Sequence, residues 1–136
     1  MNAVRLTLAL LFVYGSASAQ ATDADFIDRK DAAHVTGEQI FTHVCQGCHM
    51  PDAKGAVGAG RYPALAGNPK LASAAYPAAM VINGRGGMPP FGMLLSDAQV
   101  ADVVNYVRTH FGNTYQDALT AEDVKAFRPA PHPEEH

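Results

Sequence analysis

The sequence C-Q-G-C-H at residues 45–49 constrains this chain more strongly than any other feature. Two cysteines separated by two residues and followed by a histidine form the attachment pattern of a c-type haem. The spacing lets the Cys45 and Cys48 sulfurs bond to the two vinyl groups of one haem. It also carries His49 under the ring, where the imidazole can ligate the iron. The pattern therefore predicts one covalently bound haem c, with His49 as its first axial ligand.

Three other uses of two neighbouring cysteines fit the sequence less well. A thioredoxin-type dithiol lies in a βαβ context, for which the sequence gives no pattern, and it does not need the following histidine. A structural zinc site requires a second pair of ligands, and the chain has only two cysteines. A disulfide between Cys45 and Cys48 would close only a very short loop. The sequence therefore favours haem attachment over these alternatives.

The first 19 residues have the pattern of a secretory signal peptide. Arg5 supplies a positive charge, residues 6–14 are largely apolar, and residues 17–19 read A-S-A, which is an A-x-A cleavage site. The apolar run is shorter than the ~20 residues that cross a bilayer, so an uncleaved anchor is the less favoured interpretation. Cleavage after Ala19 predicts a periplasmic protein. Export agrees with haem attachment, because bacteria attach c-type haem outside the cytoplasm.

The rest of the sequence predicts one all-α domain with a segment on either side. A length of 136 residues suits a single domain, and a formal charge of −3 argues against general nucleic-acid binding, which requires a basic face. Polar residues 20–35 predict an N-terminal arm, and residues 36–112 predict the haem-binding domain. Residues 113–136 predict a C-terminal extension with a short surface helix and a disordered, proline-rich tail.

Capping patterns place the helices of this domain. Thr36 and Ser96 each begin an S/T-x-x-Q capping box, and Thr120 begins the short helix of the extension. The first helix leads into Cys45, and two short helices are expected from about residue 69 and over residues 77–83. The last long helix carries apolar residues on one face, at positions 100, 103, 104, 107 and 111. No stretch has the alternating pattern of a β-strand, and residues 51–67 and 84–92 are expected to be loops.

The second axial ligand is sought among the methionines and histidines. Met88 follows two glycines and precedes two prolines, which suits a loop that must press a thioether onto a metal. Met80 and Met93 are better explained by hydrophobic packing. Bis-histidine ligation is an alternative, with candidates at positions 34, 43, 110, 132 and 136. An open sixth position, as in a haem gas sensor or a small redox enzyme, is another.

These motifs together resemble the class I cytochromes c of bacteria over about residues 36–112. The resemblance rests on G-E-Q-I-F before the C-x-x-C-H motif, on R-Y-P-A-L-A-G at residues 61–67 and on M-P-P-F at residues 88–91. The sequence L-S-D at residues 95–97 and the helix after it complete the pattern. The family implies a small helical fold in which the N- and C-terminal helices cross beside a covalently bound haem.

The resemblance also implies the roles of individual residues and a class of partner. His49 and Met88 correspond to the two axial ligands, and Pro63 to the proline whose carbonyl accepts a hydrogen bond from the ligand histidine. The chain looks most like cytochromes paired with periplasmic or membrane-bound dehydrogenases. Several of those subunits carry three haem motifs, so the single motif here implies a monohaem carrier. It would pass electrons from a dehydrogenase to a terminal oxidase or another cytochrome, or be a fixed subunit of a dehydrogenase complex.

Basic residues dominate the middle of the sequence. Residues 50–95 contain Lys54, Arg61, Lys70 and Arg85 but only one acidic residue, Asp52. One interpretation is a basic rim around the haem edge that steers an acidic partner. The other is that Arg61 or Arg85 neutralises haem propionates while the lysines are solvated, and for Arg61 the sequence favours this second role.

Overall fold

The computed structural model of the chain describes residues 35–58 and 60–129. In chain order, the helical segments are α1 (Gly37–Ile40), a π-helical turn (Phe41–Cys45), α2 (Gln46–His49), a 3-10 turn (Pro69–Ala72), α3 (Ala75–Asn83), α4 (Asp97–Thr109) and α5 (Ala121–Phe127). The all-α prediction is confirmed. The predicted signal peptide, most of the N-terminal arm and most of the proline-rich tail lie outside the described residues. Within the described part, no helix is long and apolar enough to cross a membrane.

Both predicted capping boxes are present, and a third one begins α5. The Thr36 hydroxyl accepts a hydrogen bond from the Gln39 amide at 3.2 Å, and the Gln39 side chain accepts one from the Thr36 amide at 2.9 Å. Ser96 caps α4 in the same way, and Thr120 caps α5. Each box satisfies amide groups that the first turn of a helix otherwise leaves unpaired. Local sequence therefore sets where α1, α4 and α5 begin.

A π-helical turn interrupts the first helix immediately before the motif. The Gln46 amide donates to the Phe41 carbonyl, five residues earlier, so this turn is one residue wider than an α-helical turn. The helix continues through α2 and ends at His49. The expectation that the first helix delivers the motif at its C-terminal end is therefore correct, but the wide turn was not predicted.

Helices α1 and α4 cross in close contact at Gly37. A Cβ atom added to Gly37 would lie only 2.1 Å from the Asp102 carbonyl oxygen, so the crossing requires glycine there. Beside it, the Phe41 ring packs at 4.7 Å from the Phe111 ring and at 5.7 Å from the Tyr106 ring, measured between centroids. α4 ends at Thr109, so Phe111 joins this cluster from beyond the helix.

A second core lies between α3, α4 and α5. Its fully buried members include Val100, Ala78 and Val124. Val124 lies on α5, so this helix fills part of the core instead of resting on the surface as predicted. A helix of seven residues is too short to reveal a buried face by periodicity. The boundaries predicted between the arm, the domain and the extension stay predictions.

Two short segments differ from the sequence-based expectation. The loop after the motif contains a hairpin of two-residue strands, β1 (Ala56–Val57) and β2 (Arg61–Tyr62), with Ala56 opposite Tyr62. Strands of two residues give no alternating pattern that a sequence could reveal. α3 begins at Ala75, two residues before the expected proline start, and ends at Asn83 as expected.

Replacing Gly37 by alanine should destabilise the fold by about 2 kcal/mol, because α1 and α4 must separate to make room for the new methyl group. Gly47→Ala is the matched control, since a Cβ atom added at Gly47 would meet nothing within 4 Å. Urea unfolding of the intact protein measures both changes. Equal midpoints for the two variants would contradict the close contact between the helices.

Candidate functional site

The two cysteines of the motif lie on consecutive turns of the same helical segment. Cys45 is the last residue of the π-helical turn and Cys48 lies in α2; both thiols are partly buried and free. Burial raises the pKa of the Cys45 thiol to about 11, so this group is protonated at neutral pH. Within the described residues, no group of three His, Cys, Asp or Glu side chains could hold a metal ion. The free thiols suit covalent attachment to one shared group.

His49 is held in one orientation by the loop that follows it. The side chain is only 8% exposed, and its Nδ1 atom lies 2.9 Å from the Pro63 carbonyl oxygen. Because a carbonyl can only accept, Nδ1 donates, and in the neutral imidazole the lone pair then resides on Nε2. Nε2 has no hydrogen-bond partner among the described residues. The ring is therefore oriented as a metal-ligating histidine requires, with one nitrogen bonded to the protein and the other available.

Glycine brings the Pro63 segment close to the motif. Gly55 has φ of +70°, and a Cβ atom there would lie 2.2 Å from the Tyr62 carbonyl oxygen and 2.8 Å from the Pro63 carbonyl carbon. The Gly55 amide donates to the His49 carbonyl at 3.0 Å. The loop thus contacts both the end of α2 and the segment that bonds the His49 ring, and no other residue fits at position 55 without moving the backbone.

Buried Asn113 also holds this loop. Its side-chain amide donates to the carbonyl oxygens of Leu65 and Val107 at 2.9 and 2.8 Å, and its oxygen accepts from the Asn68 amide at 3.0 Å. Asn68 also caps the 3-10 turn, which begins where a short helix was expected. The loop of residues 51–67 is therefore fixed by specific contacts although little of it is regular structure.

Met88 lies in a tight turn whose backbone conformation is tied to Gly84. Arg85 and Met88 exchange two backbone hydrogen bonds, of 2.9 and 3.1 Å. Gly84 has φ of +66°, and a Cβ atom there would lie 2.5 Å from the Met88 carbonyl oxygen and 2.7 Å from the Pro90 nitrogen. Met88 is half-buried in this turn. The segment is therefore a hydrogen-bonded turn, with glycine before the methionine and proline after it.

The rival ligand candidates have different surroundings. Met93, expected to make a hydrophobic contact, is instead 97% exposed, because the turn that begins at Phe91 directs Leu95 inward and Met93 outward. His110 is exposed, stacks on Tyr106 at 4.1 Å between ring centroids and donates from Nδ1 to the Tyr106 carbonyl at 2.8 Å. His43 is exposed. The remaining candidate histidines, at positions 34, 132 and 136, lie outside the described residues.

The basic side chains of the middle segment are all exposed. Lys54 pairs with Asp52 at 3.1 Å, and its hydrogen bonds lower the pKa of that carboxyl. Arg61 lies in β2, two residues before Pro63, and its guanidinium has no partner among the described residues. Lys70 and Arg85 likewise have no acidic partner there. The positive charges of Arg61, Lys70 and Arg85 are therefore not paired with acidic side chains of the described residues.

Sequence reasoning missed Arg108, a fully buried charge. Its guanidinium donates to the carbonyl oxygens of Leu71 and Ala72 at 2.9 and 3.1 Å and pairs with Asp117 at 2.6 Å. The hydrogen bond from Arg108 lowers the pKa of Asp117. Helical spacing contained a signal, since Arg108 follows buried Val104 by four residues and so lies on the same face of α4.

The comparisons with known proteins agree with this geometry. Residues 32–107 match a family model described as cytochrome c oxidase, cbb3-type, subunit III. The cytochrome c subunit of a quinone alcohol dehydrogenase from Gluconacetobacter polyoxogenes is 30% identical over 127 residues, covering 84% of this chain and 27% of that protein. The gluconate 2-dehydrogenase cytochrome c subunit of Pantoea cypripedii is 34% identical over 108 residues, covering 68% of this chain and 24% of that protein. Cytochrome c6 of Alaria esculenta is 36% identical over 80 residues, covering 54% of this chain and 86% of that protein.

The chain thus spans about a quarter of the length of the dehydrogenase subunits and most of the length of a cytochrome c6. The motif on one helical segment, the oriented histidine and these matches lead to the same assignment. The chain belongs to the cytochrome c family and carries covalently bound haem c.

Proposed function

We propose that this protein is an exported monohaem carrier that takes single electrons from a periplasmic dehydrogenase and passes them to the respiratory chain. Haem c supplies the one-electron couple. The observation that carries the proposal is the hydrogen bond from His49 Nδ1 to the Pro63 carbonyl, because it frees Nε2 to serve as the first axial ligand. Cys45 and Cys48 would form the two thioether bonds. The predicted signal peptide, cleaved after Ala19, supports export.

Met88 is proposed as the second axial ligand. Its turn is conformationally restricted on both sides, by Gly84 before it and by Pro89-Pro90 after it, so little freedom is lost when the sulfur is bound. The exposed position of Met93, on the outer side of the following turn, supports the same choice. Histidine and methionine together give a raised reduction potential and suit electron transfer.

Arg61 is proposed to lie in the haem environment, where its guanidinium would pair with a propionate. It lies two residues before Pro63 and has no acidic partner among the described residues, which supports a role toward an anionic group. Lys70 and Arg85 are exposed cations on the same middle segment. They would form part of a basic rim that attracts an acidic electron donor.

A fixed subunit of a dehydrogenase complex is the second candidate function. It is favoured by the names of two relatives, which are cytochrome c subunits of an alcohol dehydrogenase and a gluconate dehydrogenase. Purification from the native host distinguishes the two. A carrier elutes as a monomer in salt, whereas a fixed subunit co-purifies with its dehydrogenase in stoichiometric amount.

Met88→Ala should abolish the weak thioether-to-iron absorption band of the oxidised protein and lower the reduction potential, because the sulfur ligand is lost. Met93→Ala is the matched control and should leave the band intact, since Met93 is 97% exposed. Absorption spectra and redox titration of both variants measure the effect. A band that survives in Met88→Ala would show that another residue ligates the iron.

Gly55→Ala should raise the reduction potential by on the order of 30 mV, where about 59 mV corresponds to tenfold for one electron. The new methyl group would push the Pro63 carbonyl away from His49, and a weaker hydrogen bond makes the imidazole a poorer donor to oxidised iron. Gly58→Ala is the control, because a Cβ atom there would meet nothing within 4 Å. An unchanged potential in Gly55→Ala would contradict this role for the loop.

If the basic residues steer a partner, reduction by an anionic small-molecule reductant should slow as salt is added, because salt screens the attraction. A cationic reductant should show the opposite dependence. Arg85→Gln should reduce the slope of the anionic reaction, whereas Lys125→Gln, on α5, should not. Stopped-flow rates over a range of ionic strength provide the measurement, and a flat profile would eliminate steering.

A further inference from the structure

We infer that Arg128, at the end of α5, is a positioning residue that holds the loop carrying Met88. This inference rests on the proposed ligation of Met88 and goes beyond it, because it assigns a role in haem ligation to the C-terminal extension. Residue 128 lies outside the part of the chain that matches the family model, which ends at residue 107. Nothing in the methionine turn itself indicates that a distant side chain supports it.

The Arg128 guanidinium contacts the methionine loop at two points. It donates to the Gly92 carbonyl through Nη1 and to the Leu95 carbonyl through Nη2, the second at 2.8 Å. Its Nε donates to the Asp97 carboxylate in the first turn of α4. One planar group therefore binds both the segment after Met88 and the start of α4. Hydrogen bonds from a charged donor are stronger than neutral ones, and the rigid geometry of the guanidinium fixes all three acceptors together.

Gly92 is held from two sides. Its amide donates to the Ile82 carbonyl at the end of α3 at 3.1 Å, while its carbonyl accepts from Arg128. A Cβ atom at Gly92 would lie 2.8 Å from the Ile82 oxygen and 3.4 Å from Arg128 Nη1, so the backbone fits closely between α3 and the guanidinium. Only Pro89, Pro90 and Phe91 separate this fixed point from Met88. Two of those three residues are prolines, so a shift of Gly92 is transmitted to the methionine.

Arg128 is itself fixed by the packing of α5 and of the segment before it. Val124 is fully buried, and Leu119 exchanges two hydrogen bonds of 2.8 Å with the Asn105 side chain. The arginine side chain is about one quarter exposed, so solvent competes only in part for its contacts. The extension therefore places a cation at the loop with little freedom, which is what a positioning residue requires.

Arg128→Gln in the full-length haem protein should raise the affinity of the oxidised form for added imidazole about tenfold. Imidazole competes with the Met88 sulfur, so its apparent affinity increases with the fraction of molecules in which the loop has moved away. The Phe91 and Gly92 amides, which bond to α3, should also exchange faster with solvent deuterium. Lys125→Gln is the matched control, because it removes the same charge from an exposed position on α5 and should change neither quantity.

Arg128→Lys keeps the charge but not the three-way geometry, and it should give an intermediate imidazole affinity. If Arg128→Gln does not fold, Arg128→Lys provides the test, and an imidazole affinity of Arg128→Lys equal to that of wild type would overturn the inference.

The inference is also overturned if Arg128→Gln folds and has the same imidazole affinity as Lys125→Gln, whatever its urea midpoint. Loss of the thioether band in Met88→Ala together with such a result would reject only the role of Arg128. Survival of that band would instead reject the proposed ligand.

Discussion

The hydrogen bond between His49 Nδ1 and the Pro63 carbonyl is the contact on which the site depends. It joins the end of a helix to a residue fourteen positions later, so the intervening loop must return to the helix from which it departs. Gly55 makes that return possible, because its left-handed backbone lets the chain pass against Tyr62 and Pro63 at distances that no side chain tolerates. The orientation of the ligand imidazole is therefore a consequence of loop geometry as much as of the motif.

Helix α4 relates the two halves of the site to one another. Val103 and Val107 lie in the core shared with α1 and the motif, whereas Val100 and Val104 lie in the core shared with α3 and α5. The motif segment is thus packed against one side of the apolar face of α4. Helix α3, which the Met88 turn follows, is packed against the neighbouring side of the same face. Because both cores use one rigid helix, the segments that carry the proposed ligands pack on a common frame, although His49 ends a helix and Met88 lies in a separate turn.

The features that the sequence predicts are those encoded by neighbouring residues. The capping boxes at Thr36 and Ser96 and the apolar face of α4 depend on spacings of three or four residues, and each prediction is confirmed. The features that the sequence does not reveal depend on contacts between residues far apart in the chain. Gly37 is required only because Asp102 lies against it, and Gly55 only because Pro63 does. The exposure of Met93 likewise depends on a turn that no periodic pattern describes.

The buried polar side chains follow from the loops that a haem-binding domain of this kind contains. Irregular backbone has carbonyl oxygens without regular partners, and each buried one must be satisfied by some donor. In this chain side chains supply those donors. Arg108 donates to the carbonyls of Leu71 and Ala72, and Asn113 donates to that of Leu65. Arg128 donates to the carbonyls of Gly92 and Leu95 in the loop after Met88.

All three donors come after residue 107, where the match to the family model ends. The segment beyond that point therefore completes the hydrogen bonding of the loops that precede it. Helix α5, predicted from the sequence to lie on the surface, has a fully buried valine and is followed directly by an arginine that bonds another loop. The buried valine fixes the helix against the core, so the position of the arginine that follows the helix is fixed as well.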